Sequence, residues 1–184
     1  MRDWEIDLIK SLLLARKPAK VLEWGSGYGT LYFSGLLGPD VHWTAIEHDK
    51  SWHNIISYHN VRKNVSIELV EANNENWSDP AGDGSYEDLI DYISFPKAKK
   101  TYDFIIIDGR GRLACLKKAK SLIKENGIIV LHDANREHYH EAFKDFSNYI
   151  LFTSQDYDSG GVWIGGSNKL NLDKKNDRQR SGLG

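Results

Sequence analysis

The stretch Val21-Leu22-Glu23-Trp24-Gly25-Ser26-Gly27-Tyr28-Gly29-Thr30 constrains this chain more than any other. An apolar run ends in an acid, and three glycines then alternate with other residues. Such a segment reads as a buried strand feeding a tight turn. Glycine tolerates positive φ and lets a ligand approach the backbone closely. A helix beginning near Thr30 would aim its free N–H groups, and the positive end of its dipole, at the same ligand.

The spacing narrows the choice. Dinucleotide sites favour G-x-G-x-x-G, and the third glycine of that pattern would fall where this chain has Thr30. The acid at Glu23, two residues before the first glycine, suits a cationic amine better than a pyrophosphate. The stretch resembles the E/D-x-G-x-G-x-G motif of the class I S-adenosylmethionine-dependent methyltransferases. That resemblance covers about residues 1–166. It implies that Glu23, Gly25, Gly27 and Gly29 hold the methionine part of the cofactor.

The order of elements fits an α/β fold. Apolar residues at helical spacing predict a helix over 4–16, stopped by Pro18. A strand over 20–24 precedes a helix over 30–37, which Gly38-Pro39-Asp40 ends. Strands are expected at 41–46 and 65–70, with a helix over 50–59 between them that Asp49 caps. Residues 73–85 have turn chemistry, and a helix over 85–95 follows with Ser85 as its cap. Phe104-Ile105-Ile106-Ile107 reads as a strand buried on both faces, hence central in a parallel sheet. A helix over 112–124, closed by Asn126-Gly127, leads to a strand over 128–131 and a further helix to about Phe146. Two last strands, 148–154 and 161–165, are joined by a turn over 156–160 and should pair antiparallel. Such alternation predicts a Rossmann-like, doubly wound sheet of seven strands, mostly parallel with an antiparallel C-terminal hairpin. Residues 1–166 are expected to form one domain, and the polar segment 167–184 reads as a disordered tail.

Bulk properties exclude several classes. At 184 residues and 40% hydrophobic content, a soluble globular domain is expected. A net charge of −2 gives no electrostatic case for nucleic acid. No apolar run approaches the roughly 18 residues of a membrane span. Cys115 is the sole cysteine, which forbids an intrachain disulfide and fits a reducing compartment such as the cytoplasm.

Ligands of open α/β sheets bind outside the carboxyl ends of the strands. Those ends carry Glu23, Glu47, Glu71, Asp108 and His132-Asp133. Five acids in register mark one edge as the working face. Glu47 is the candidate for the ribose hydroxyls, and Glu71 or Asn73 for the adenine amino group. Two routes to an acceptor proton are open. In one, Asp108 and Asp133, with Asn135 as a third ligand, hold Mg²⁺ or Mn²⁺, which lowers the acceptor's pKa. This resembles the catechol-type O-methyltransferases, whose Asp-Asn pair is here interrupted as Asp133-Ala134-Asn135. In the other, His132 is the general base.

The D-G-R-x-R run at Asp108–Arg112 and the His132-Asp133 pair resemble a group of class I methyltransferases and, more distantly, sugar O-methyltransferases. Arg110, Arg112 and Arg136 would then face a small, sugar-like or anionic acceptor, since Arg binds carboxylates and phosphates through paired hydrogen bonds. The plainer alternative pairs these arginines with Asp108 and Asp133 and removes the metal. A lid must come from the N-terminal helix, the 73–85 loop or the partner of a homo-oligomer. The competing functions are an NAD-dependent oxidoreductase and a non-catalytic S-adenosylmethionine-binding subunit.

Overall fold

The computed structural model describes residues 1–74, 76–77, 82–153 and 160–166. Helix α1 (Asp3–Arg16) precedes the sheet. Strand β1 (Lys20–Trp24) and helix α2 (Tyr28–Gly35) flank the glycine turn. Strand β2 (His42–Glu47), helix α3 (Lys50–His59) and strand β3 (Val65–Leu69) complete the first half. The second half runs α4 (Ile90–Ser94), β4 (Tyr102–Ile107), α5 (Arg112–Leu122) and β5 (Ile123–His132). After a 3-10 turn at Glu137–Tyr139 come α6 (His140–Phe143), β6 (Asn148–Phe152) and β7 (Val162–Gly166).

The seven strands form one sheet in the order β3-β2-β1-β4-β5-β7-β6. β1 pairs parallel with both β2 and β4, and β7 lies antiparallel between β5 and β6. The order reverses between β1 and β4, so the crevice of a doubly wound sheet opens there, at the strands' carboxyl ends. This is the Rossmann-like, doubly wound sheet of seven strands with an antiparallel C-terminal hairpin that the sequence predicts.

Alternation along the strands builds two cores. Leu22, Trp24, Ile105, Ile107, Ile129 and Leu131 face a layer holding Tyr92, Leu116 and Phe143. Val21, Trp43, Ala45, Phe104, Ile106, Ile128 and Val130 face Ile9 and Leu13 of α1 and Phe33 of α2. Strand side chains repeat every two residues. Glu23, Glu47, Asp108 and His132 therefore continue the second set, on the side of the sheet covered by α1 and α2.

Several boundaries differ from expectation. α2 starts at Tyr28 because Thr30 turns its hydroxyl back to accept the Gly27 N–H at 2.9 Å. The helix expected over 85–95 is regular only from Ile90. Before it, Ser85 N–H donates to Asp88 Oδ2 and Asp88 N–H to Ser85 Oγ, which closes a turn instead. Asn126-Gly127 lies inside β5 rather than ending α5. A Cβ at Gly127 would meet Ile123 Cδ1 at 2.6 Å, so this glycine serves close packing. The helix expected through Phe146 reduces to the 3-10 turn and α6, although Tyr139, Phe143 and Phe146 are buried as helical spacing would have them. The turn over 156–160 lies mostly, and the tail over 167–184 wholly, outside the described residues. Among those described, no helix is long and apolar enough to cross a membrane.

Candidate functional site

The glycine turn is held from both sides. Gly25 N–H donates to Ile46 O at 2.8 Å, and Gly25 has φ +90°. A Cβ there would press into the backbone of Gly109, so the turns after β1 and β4 touch main chain to main chain. Gly27 differs: a Cβ built on it meets nothing closer than 3.9 Å. Gly25 thus closes the floor of the crevice, and Gly27 presents open space above it. Gly29 lies within α2, where its absent side chain faces the ring of Phe33 at 3.6 Å.

Glu47 ties the turn to the end of β2. Its Oε2 accepts from Ser26 N–H and Ser26 Oγ, and its Oε1 from the N–H groups of His48 and Asp49, all between 2.9 and 3.0 Å. Burial alone would raise its pKa, but His48 and these donors outweigh burial and hold it below the usual value. It is a charged, fully bonded clamp on the glycine loop.

Glu23 behaves oppositely. It is 3% exposed, accepts from Trp43 Nε1 at 2.8 Å, and lies beneath α2. Burial pushes its pKa up to about 8, against the hydrogen bonds of Thr30 and Trp43, with Asp108 and Glu47 adding repulsion. In the chain alone its carboxyl faces Trp43 and Thr30 inside the protein.

Glu71 is exposed beyond β3. Asn73 is pinned to the start of α4: its Nδ2 donates to Asp91 Oδ2 and its Oδ1 accepts Asp91 N–H.

The acids of β4 and β5 form one cluster. His132 Nδ1 lies 2.8 Å from Asp108 Oδ1, and His132 Nε2 lies 2.9 Å from Glu5 Oε2. Glu5 also accepts from Arg2 N–H and Gly161 N–H. Burial would lower the His132 pKa, but its bond to Asp108, the charges of Asp108 and Asp133, and its bond to Glu5 raise it. Asp108 is held low despite burial by His132 and Arg112, and Glu5 by the Arg2 amide, His132 and the Gly161 amide. Both ring nitrogens of His132 thus face carboxylates, an arrangement that favours the protonated ring and leaves neither nitrogen turned toward an acceptor.

Arg112 is the other cation. It is 7% exposed, and its guanidinium donates to Gly109 O, His132 O, Asp108 O and Asp133 Oδ2 at 2.8 to 3.2 Å. Its Nη2 also lies 3.4 Å from Asp108 Oδ1. Arg136 adds a second bond to Asp133 Oδ2 at 3.1 Å. Asp83 Oδ2 accepts the Arg112 N–H and so fixes the start of α5. Arg110 donates to Gly82 O. Arg112 is thus turned inward rather than toward an acceptor, and Arg136 is bonded to Asp133.

A divalent ion does not fit this donor set. Asp108 and Asp133 already share the Arg112 guanidinium, and Asp133 Oδ2 carries two arginines. Asn135, the expected third ligand, packs its side chain against Gly161 while its N–H donates to Gly160 O. Among the described residues no three His, Cys, Asp or Glu side chains are grouped to hold a metal. Of the plainer pairing, Arg112 and Arg136 bond to Asp108 and Asp133 as expected, whereas Arg110 bonds to Gly82 O instead.

The sequence reading missed Glu5. Its signal was present: Glu5, Ile9, Leu12 and Leu13 share the buried stripe of α1, and an acid on an apolar stripe requires a partner. Asp83 was missed as well, hidden in a turn-rich loop.

No protein-family model matches the sequence, and no curated protein matches it. Solved structures do. An O-methyltransferase from Bacillus cereus, in complex with S-adenosylhomocysteine (SAH), superimposes with a TM-score of 0.65 at 15% identity over 90% of this chain and 82% of that one. TomG from Streptomyces achromogenes, an O-methyltransferase involved in tomaymycin synthesis, gives 0.62 at 15% identity over 91% and 82%. A SAM-dependent O-methyltransferase from Thermotoga maritima gives 0.66 at 10% identity over 92% and 67%. Sheet order, antiparallel β7 and these likenesses together define the class I S-adenosylmethionine-dependent methyltransferase fold.

Proposed function

We propose that this chain is an S-adenosylmethionine-dependent O-methyltransferase acting on a small hydroxyl compound. The observation that carries the reading is the joint position of the glycine turn, Glu47 and Asp108 around the β1–β4 switch point. Gly27 and the N-terminus of α2 supply an open cradle. Glu47 fixes that cradle from the end of β2, and we read this strand end as the ribose side of the crevice. Bound there, S-adenosylmethionine supplies an electrophilic methyl group that leaves its sulfur without the bonding electron pair.

The chain's own task is to orient an acceptor oxygen and take its proton. Asp108 suits this role. Its Oδ1 is held by His132 and Arg112, and among the described residues its Oδ2 accepts no hydrogen bond, which leaves it to the acceptor. As the new O–C bond forms, the hydroxyl proton passes to Asp108. A carboxylate held low is a weak base, so an acceptor with a readily ionised hydroxyl, such as a phenol, matches it better than an unactivated sugar alcohol.

The test is calorimetric titration with S-adenosylhomocysteine, with NAD as control. Saturable binding of the first alone, weakened in Glu47→Ala, upholds the reading. Absence of such binding overturns it.

A further inference from the structure

We infer that Arg112 takes the place of a divalent ion between Asp108 and Asp133, and that methyl transfer by this chain needs no metal. The inference rests on the methyltransferase reading and specifies how its acids are neutralised.

A metal site of the expected kind needs two carboxylates with free lone pairs and a third oxygen donor. Here the cation between the carboxylates is covalently part of the chain. The Arg112 guanidinium reaches Asp133 Oδ2 at 2.9 Å and Asp108 Oδ1 at 3.4 Å. Its remaining N–H groups are fixed on the carbonyls of Gly109, His132 and Asp108. These carbonyls belong to the ends of β4 and β5, so the side chain staples both strand ends. Guanidinium stays protonated at any working pH, so this cation is permanent. Asp108 also bonds to His132 and Asp133 to Arg136. An added divalent ion would have to displace Arg112 from both carboxylates and Arg136 from Asp133.

Arg112 is on this account a positioning residue. It holds Asp108 in place but, unlike a metal, does not coordinate the acceptor oxygen. The acceptor must therefore deliver its proton to Asp108 directly.

The experiment is a Mn²⁺ titration of the full chain saturated with S-adenosylhomocysteine, read by electron paramagnetic resonance. The wild-type chain should show no Mn²⁺ signal that depends on Asp108 or Asp133. Stoichiometric Mn²⁺ in wild type, abolished by Asp133→Asn, would overturn the inference. Arg112→Gln removes the resident cation and should raise Mn²⁺ affinity about tenfold or more. No gain in a folded Arg112→Gln chain would also overturn it. If that variant does not fold, Arg112→Lys keeps a charge and should gain no Mn²⁺ site, whereas a gain there would count against the guanidinium's place. Loss of S-adenosylhomocysteine binding in wild type is a separate outcome, and it speaks to the function and not to the cation.

Discussion

Glu5 and His132 stand 127 residues apart in the chain and 2.9 Å apart in space. Their bond fastens α1 to the end of β5 on the face where Asp108 also sits. Because Glu5 in turn accepts from Gly161 at the start of the β7 segment, three distant pieces of chain meet on one carboxylate. Removing one partner of a buried, hydrogen-bonded pair leaves an uncompensated charge, at about 3 kcal/mol or more. Glu5→Ala should therefore lower stability by that order in denaturant unfolding, well beyond an exposed acid such as Glu141→Ala, whose partner Lys144 is also exposed. Equal small losses in both variants would mean that the Glu5 bond does not hold α1.

The same cluster sets a pH window. Asp108 and Glu5 have lowered pKa values, so they add stability above their ordinary values of 3.8 and 4.5 and lose it as pH falls through the lowered ones. His132 has a raised pKa, so its contribution is complete below its ordinary 6.5 and fades as pH rises through the raised value. The cluster contributes most between about pH 4.5 and 6.5. Thermal melts across pH should show His132→Asn losing most against wild type inside that window and less on its alkaline side. A difference that grows with pH would contradict the charged imidazolium.

How much of this was legible beforehand follows from the range of each interaction. β1, β2 and β4 were readable because apolar alternation and the glycine turn are local patterns. The start of the crevice at Glu47 and Asp108 followed from the strands ending there. β5 was misjudged at its beginning because Asn126-Gly127 is ordinary turn chemistry, whereas here Gly127 makes room for Ile123. The last long helix is shortened because Ala134 and Asn135 donate their N–H groups to Gly161 O and Gly160 O, beyond any local window. Arg112 has the spacing of an acceptor-binding residue. Only the tertiary fold shows that the carbonyls of Gly109 and His132 take its donors. Glu5 stands out locally as an acid on an apolar stripe, but its partner His132, 127 residues away, is beyond any local pattern.

Glu23 gives a prediction of opposite sign. Its pKa rises from 4.5 to about 8 in the fold, so the folded chain holds a proton that the unfolded chain releases. Stability from this residue is therefore lost as pH climbs from 4.5 to 8, by a total of a few kcal/mol on the order of one per pKa unit. Glu23→Gln keeps an acceptor for Trp43 and removes that cost. Its melting temperature should exceed wild type at pH 9 and match it near pH 5. Its affinity for S-adenosylhomocysteine should stay within about threefold of wild type, and a much larger fall would restore Glu23 to the cofactor's amine.

The two glycines at the turn should separate folding from binding. Gly25→Ala forces a side chain into Gly109 at a positive φ, a collision that costs more than about 3 kcal/mol. Gly27→Ala meets open space and an extended backbone that any residue adopts. Circular dichroism and a melt should find the first variant largely unfolded and the second close to wild type. Weakened S-adenosylhomocysteine binding is expected in the second, because the methyl group enters the cradle. Unchanged binding there would move the ligand away from Gly27.

Asp108→Asn isolates the proton-accepting step. Asparagine matches the carboxylate in size and still offers an oxygen to His132 and Arg112. It is not a base near neutral pH. If Asp108 takes the acceptor's proton, kcat should fall by about 10²–10⁴, while S-adenosylhomocysteine affinity changes little. The defect should shrink with acceptors of lower hydroxyl pKa, because an oxygen already ionised needs no base. A panel of phenols of graded acidity therefore gives a slope as well as a rate. A wild-type rate from Asp108→Asn on the least acidic phenol would exclude Asp108 as the proton acceptor. A deficit of equal size across the whole panel would assign Asp108 to orienting the acceptor and not to its proton.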